Sequence, residues 1–253
     1  RRYPDGQCGR HLADTEEPGV AMSEQRYHFR DILVAETPAP SPRALLHREL
    51  GQELAGLTEQ VLRLDAPDDK LNEYIEHIRQ LRAELAQYGQ RDYSGILERL
   101  LAGAGSADDV TDLVDFEILS GKASPMSPPL ELWLDGDRVR GRATFGLAFQ
   151  GPPGRVHGGV LSLALDMLMA KTQDFVRQIG MTGTLNIRYL AGTPINTPVD
   201  FEARLVTLER RKLRCEGSVW VNGQQTVAAE GIWISGQGDY ALKPAFAGLA
   251  DNL

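Results

Sequence analysis

The sequence predicts an α+β fold in which an antiparallel sheet wraps around one central helix, with a helical extension in front of it. Three observations carry this expectation. Stretches of period-two hydrophobicity fill much of residues 130–234, one helix within that region is apolar almost all round, and Asp135-Gly136 and Asn222-Gly223 are strong two-residue hairpin signals. The expected organisation is a flexible segment over 1–40, a helical extension over 41–105, the sheet-and-helix domain over 106–240 and a tail over 241–253.

Residues 1–40 are rich in polar residues, Pro and Glu and show no sustained period, so they read as flexible. They begin RRYPDGQCGR, lack an apolar h-region and precede Met22, so they read as a tag or upstream extension and not as a signal peptide. From Pro42 the pattern changes: Leu50, Leu54, Leu57, Val61 and Leu64 recur at alternating steps of four and three, giving one apolar stripe on a helix. Asp65-Ala66-Pro67-Asp68 breaks it, and Asp68 or Asp69 is placed to cap a second helix, in which Leu71, Ile75, Ile78, Leu81 or Arg82, Leu85 and Tyr88 continue the period to Gly89. A short third helix over 96–102 ends at Gly103-Ala104-Gly105. A narrow stripe cannot make a core alone, so the helices are expected to pair and to dock elsewhere, with the outer face of the sheet as the available surface.

Beyond Gly105 the period falls toward two. Leu130, Leu132 and Leu134 alternate with Glu131 and Trp133; after the Asp135-Gly136 turn, Val139, Gly141, Ala143 and Phe145 alternate with three arginines. A Gly/Pro loop over 150–154 leads into a helix over 157–177, and strands follow over 184–190, 199–208, 213–221 and 226–234. The helix sequence VLSLALDMLMA must be buried on most sides, and one curved sheet covers only part of it. A second copy of the chain is therefore expected against it, giving a homodimer, with tetramer formation through the helical extension as a further option.

Composition narrows the function classes. With 42% apolar and 25% charged residues the chain has an ordinary globular balance, and a net charge of −8 without a basic stripe argues against nucleic acid. A local cluster of Arg or Lys still permits an anionic substrate. The two cysteines, Cys8 and Cys215, have no metal-site spacing, so neither a metal nor a cofactor is implied, and their use fits a reducing, cytoplasmic setting. The most apolar run, 160–170, is too short to span a bilayer and contains Asp166, so no membrane span is expected.

Asp166 stands out because a carboxylate inside an apolar helix carries a desolvation cost and Asp is a poor helix former. Two readings fit it: a structurally bonded buried acid, or a functional one. At the start of the same helix, His157-Gly158-Gly159 leaves backbone N–H groups at the positive end of the helix dipole, which is either a plain loop-to-helix junction or an oxyanion site. Gly158 and Asp166 are eight residues apart, about 12 Å along a helix. One small reacting group cannot easily touch both on the same helix, whereas two antiparallel copies across a twofold axis would bring the start of one near Asp166 of the other.

These residues resemble a known family. The segment FQGPPGRVHGGVLSLALDMLMA is similar to the central helix of hotdog-fold thioesterases of the PaaI-like group, which includes the THEM-type acyl-CoA thioesterases; in that group HGG is followed by an acidic residue nine positions after the His, matching His157 and Asp166. Thr182-Gly183-Thr184-Leu185-Asn186-Ile187 resembles the segment T-A-N-L-N-I of THEM-type members, with its leading Thr sixteen residues after the acid. The resemblance covers roughly 110–235 and implies the hotdog fold and hydrolysis of acyl thioesters without a cofactor. Gly158, by its N–H, would hold the developing oxyanion and Asp166 would act as general base on water, or as nucleophile. Thr182 would hold the water, or serve only as a strand residue; Gly159 is a candidate for substrate binding, Asn186 for substrate binding or a core-facing network, and His157 for a catalytic role or only for setting the turn. Arg211-Lys212, in a hairpin turn, resembles a basic pair of THEM-type members suited to the phosphates of coenzyme A. One departure is clear: THEM-type members follow this strand with Lys-Arg-Pro, where this chain has Tyr189-Leu190-Ala191. A hydratase of the same fold is disfavoured because no histidine has Asp five positions before it. The remaining alternative is a non-catalytic acyl-binding or scaffold protein, against which Asp166 argues.

Overall fold

A computed structural model describes residues 39–235 except 119, 177 and 179. The expected flexible segment up to residue 38, with Cys8, and the tail over 241–253 lie outside the described residues. Four helices come first: α1 (Pro42–Val61), α2 (Asp68–Leu85), α3 (Tyr93–Leu101) and α4 (Ala107–Asp115). They are followed by β1 (Glu131–Asp135), β2 (Arg138–Thr144), a short 3-10 turn (Leu147–Phe149), the central helix α5 (Gly158–Lys171), a second 3-10 turn (Thr172–Val176), β3 (Gly180–Tyr189), β4 (Pro198–Glu209), β5 (Lys212–Val221) and β6 (Gln224–Ser235).

The helix starts follow local chemistry. Ser41 caps α1 by accepting from the Ala44 N–H, with Pro42 in the first turn. On α2 the N-cap is Pro67, not an aspartate: Asp68 and Asp69 sit inside the first turn, where they favour the helix dipole without a side-chain cap bond. Helix α4 is absent from the sequence expectation, although Ser106-x-x-Asp109 is a capping-box signal for it; the Ser106 hydroxyl accepts from the Asp109 N–H, and the Asp109 carboxylate accepts from the Ser106 N–H. Ile96, Leu100 and Val110 close a small core between α3 and α4. Helix α1 docks on α4 through a two-pronged ion pair from Arg48 to the buried Asp115, at 2.6 and 2.9 Å.

The apolar stripe of the extension does not rest on the outer face of the sheet. No residue of α2 is buried, and Leu71, Ile75, Ile78, Leu81 and Leu85 are all exposed. The outer face is instead polar, tied across strands by Arg142–Asp200, Arg140–Glu202 and Arg204–Glu216, which makes it a poor seat for Leu and Ile.

The sheet is six-stranded and antiparallel in the order β1-β2-β4-β5-β6-β3. Alternation sets its faces: on β4, Val199, Phe201 and Ala203 are buried against α5 while Asp200, Glu202 and Arg204 point outward. Asn222 and Gly223, both with positive φ, make the two-residue turn between β5 and β6. Helix α5 is shorter than the expected 157–177. His157 is its N-cap, and after Lys171 the chain tightens into the 3-10 turn, where the Thr172 hydroxyl donates to the Met169 carbonyl at 2.7 Å. Leu161, Ala164, Leu165, Leu168 and Met169 face the sheet and are buried; Val160, Asp166 and Met167 are half-buried, and Leu163 is 37% exposed. The sheet covers one side of the helix only.

Asp109 supports a pH-dependent prediction. The Arg99 guanidinium and the Ser106 hydroxyl and amide hold its carboxyl below the ordinary range, against the opposing push of burial. A depressed carboxyl contributes stability above its unfolded pKa of about 3.9 and loses it as pH falls through the lower folded value. Asp109→Asn should therefore cost about 1 kcal/mol at neutral pH and far less in strong acid, read by chemical denaturation at both pH values. An equal cost at both would contradict the assignment.

Candidate functional site

Helix α5 and strand β3 run antiparallel, side by side, so one end of the pair joins Gly158 to Tyr189 and the other joins Asp166 to Thr182. At the first end, the His157 Nδ1 accepts from the Gly159 N–H at 3.0 Å. The His157 N–H donates to the Phe149 carbonyl at 2.9 Å, and the His157 carbonyl accepts from the Val160 N–H at 3.0 Å. His157 is thus a helix cap. Its ring holds the Gly159 amide, which takes Gly159 out of contention as a donor to a ligand. Among the described residues, the Gly158 N–H has no hydrogen-bond partner, and it lies at the positive end of the helix. Of the two glycines, only Gly158 offers a free amide.

A side chain at position 158 would also collide with its neighbour: a Cβ there would come within 3.0 to 3.2 Å of the Tyr189 ring. The Tyr189 hydroxyl donates to the Gly158 carbonyl at 2.9 Å and lies 2.6 Å from the Ser162 hydroxyl, which itself donates to the same carbonyl. Ser162 escaped the sequence reading, and Tyr189 entered it only as a departure from the family pattern. The available signal was Ser162, one helical turn from Gly158 on the same face.

At the second end, the Thr182 hydroxyl donates to Asp166 Oδ1 at 2.9 Å. That contact depends on a β-bulge. The register of β3 against β6 shifts between Thr182 and Thr184, so Thr182 pairs with the buried Trp233 and faces the helix, together with Leu185, Ile187 and Tyr189. Without the bulge, Thr182 would share the outward face of Thr184. Gly183, a glycine inside a strand, was the signal for it. Asp166 is half-buried rather than sealed, with its second oxygen free of any hydrogen bond among the described residues.

The same bulge sends Asn186 the other way. It points to the outer face, where it lines a shallow depression of about 650 Å³ with Arg138, Arg188, Glu202, Glu216 and Glu230, and the sheet separates it from Asp166. Asn186, expected as a substrate-binding or core-facing residue, lies on the face of the sheet away from α5. Arg211 and Lys212 lie at the β4–β5 turn, where Arg210 has φ 56°; Arg211 Nε donates to the Ser235 carbonyl at 2.7 Å. Lys212 and Met181 both pair with Ile234, so the basic turn is two strands from the start of β3, about 10 Å away at the Thr182 end.

Cys215, the cysteine among the described residues, is no ready nucleophile. Burial pushes the Cys215 thiol up, only partly offset by Thr172, and the side chain is wholly enclosed. Among the described residues no group of three or more His, Cys, Asp or Glu side chains is placed to hold a metal ion, and no helix is long and apolar enough to cross a membrane.

No protein-family model matches the chain. Acyl-coenzyme A thioesterase THEM5 of Homo sapiens is 33% identical over 85 residues, which are 34% of this chain and 34% of that protein, so the match spans about a third of the curated relative's length. A crystal structure of a thioesterase superfamily protein superposes with a TM-score of 0.62 at 25% identity, covering 79% of this chain and 98% of that one. A superposition that long extends past the sheet domain into the helices before it. The structure of thioesterase superfamily member 2 from zebra fish matches at a TM-score of 0.41 and 16% identity, over 43% of this chain and 82% of that one. The resemblance to hotdog thioesterases read from the central helix thus recurs in both sequence and structure, and the fold of this chain is the hotdog fold.

Proposed function

We propose that the protein hydrolyses acyl thioesters, with acyl-coenzyme A as the substrate class, to a free acid and a thiol. The observation that carries this reading is the half-open Asp166 carboxylate, held by Thr182 on an otherwise apolar helix whose own first turn leaves the Gly158 amide unpaired. The similarity to an acyl-coenzyme A thioesterase supports it.

In the proposed reaction, the free oxygen of Asp166 takes a proton from water as that water attacks the thioester carbonyl. The new C–O bond pushes the carbonyl electrons onto oxygen, and the Gly158 N–H donates a hydrogen bond to the resulting oxyanion. Collapse breaks the C–S bond, and the departing thiolate takes up the proton that Asp166 had accepted. Thr182 occupies one carboxylate oxygen, orients the other and marks where the water is held. The atoms balance without a metal or cofactor.

Both groups belong to one helix, about 12 Å apart, so the proposed site is built from two chains. Among the described residues, strand β3 is an edge of the sheet with one side of its backbone unpaired, and Met181, Leu163 and Tyr189 are exposed beside it. Antiparallel pairing of two β3 edges across a twofold axis sets the Tyr189 end of one chain against the Thr182 end of the other. That brings Gly158 of each chain toward Asp166 of its partner, giving two composite sites per homodimer. Arg211 and Lys212, at the Thr182 end, are positioned for the phosphates of coenzyme A. The use of cysteine fits a cytoplasmic protein.

Release of free thiol from acyl-CoA esters of graded chain length tests this reading. Asp166→Asn should lower kcat by about 10²-fold or more with the fold retained. Thr182→Ala, which removes one hydrogen bond to a charged acceptor, should lower it by about tenfold. Equal, near-zero rates for wild type and Asp166→Asn on every ester would refute hydrolysis and favour an acyl-binding protein. Replacing Arg211 and Lys212 together with Ala should raise KM and leave kcat almost unchanged; a fall in kcat alone would remove their phosphate role.

A further inference from the structure

We propose that Glu59, on helix α1 of the N-terminal extension, is a positioning residue for the thioester site: it holds the turn that aims the Gly158 amide. This rests on the hydrolase reading for its consequence in rate, but the contact itself is independent of that reading. The two Glu59 carboxylate oxygens each accept one backbone donor from the 3-10 turn, Leu147 N–H at 2.9 Å and Ala148 N–H at 2.9 Å, across 88 and 89 residues of sequence. Arg63, in the turn just past the end of α1 and four residues on from Glu59, donates to the same carboxylate. Gly146 supplies the room, since a Cβ at that position would come within 2.7 to 2.9 Å of the Glu59 carboxylate group. A glycine gap, two converging amides and a supporting guanidinium make this a fitted contact and not an incidental surface pair.

The turn connects directly to the site. Its last residue, Phe149, accepts the His157 N–H at 2.9 Å, and the following loop folds back through the Gln150–Val156 bridge and the bond from Gly151 N–H to the Arg155 carbonyl. Gly151 packs so closely that a Cβ there would come within 2.9 Å of the His157 Cα. Thus one end of the loop is held by Glu59 and the other end is the residue whose ring and carbonyl start α5. Helix α1 is itself anchored away from the turn, by Arg48 on Asp115 and by Gly51 against the Ala123 backbone. Its far end therefore presents the carboxylate from a fixed support. The turn and loop over 147–156 have no comparable charged anchor within the sheet domain among the described residues.

A small misplacement of an oxyanion donor lowers the rate of the chemical step while leaving remote substrate contacts intact. Glu59→Ala should lower kcat by on the order of tenfold to a hundredfold with KM within about twofold of wild type, and Glu59→Gln, which keeps one acceptor oxygen, should recover part of that loss. Arg63→Ala, which leaves both amide contacts in place, should have a much smaller effect. Backbone hydrogen exchange on the same variants supplies a readout that does not need turnover: in Glu59→Ala, protection should fall at the Leu147 and Ala148 amides and also at the His157 and Gly159 amides. Faster exchange confined to Leu147 and Ala148, or a loss of stability with unchanged kcat, would overturn the proposal. An inactive wild type would refute the hydrolase reading alone, and the exchange pattern would still decide whether Glu59 governs the start of α5.

Discussion

A straight α-helix keeps its first amide and its ninth residue about 12 Å apart, and this rigid spacing governs how the chain can be used. Helix α5 carries an unpaired amide at Gly158 and a carboxylate at Asp166, yet no thioester carbonyl and its attacking water can bridge them along the axis. The sheet buries only one side of α5, and the two groups appear on the uncovered side, beside the open edge of β3. A twofold pairing at that edge answers three demands at once: the unsatisfied backbone of an edge strand, the exposed apolar side of the helix, and the separation of donor from base. This convergence is the main physical support for the proposed composite site.

Much of the fold was legible because its signals are local. Alternation in β4, the apolar helix and the Asn222-Gly223 turn each encode their own geometry within a few residues. The outline of the site was legible for the same reason, since His157, Gly158 and Asp166 lie on one helix at fixed spacing. What could not be read depends on distant or irregular contacts. Resemblance had named Thr182, but not the bulge at Gly183 that brings it to Asp166 and turns Asn186 away. The Gly159 amide looked equivalent to that of Gly158 until the His157 ring was seen to occupy it. Tyr189, first met as a departure from a family pattern, packs over Gly158.

The helical extension shows a similar limit. Its apolar stripe correctly implied helices, but a stripe does not name its partner. Helix α1 uses Arg48, Gly51 and Glu59 to reach α4 and the 3-10 turn, whereas α2 keeps its leucines and isoleucines exposed. The polar outer face of the sheet, laced with cross-strand ion pairs, explains why that surface was not taken. In the proposed picture the extension bears on the chemistry through one carboxylate, by fixing the turn from which the central helix starts.

The central claim is that each site draws its acid and its amide from different chains. Purified heterodimers combining an Asp166→Asn chain with a Gly158→Ala chain test it most directly, because each homodimer has both sites damaged. A shared site leaves one intact pairing in the heterodimer and should restore about half of the wild-type rate per dimer. Activity no greater than that of either damaged homodimer would contradict the account.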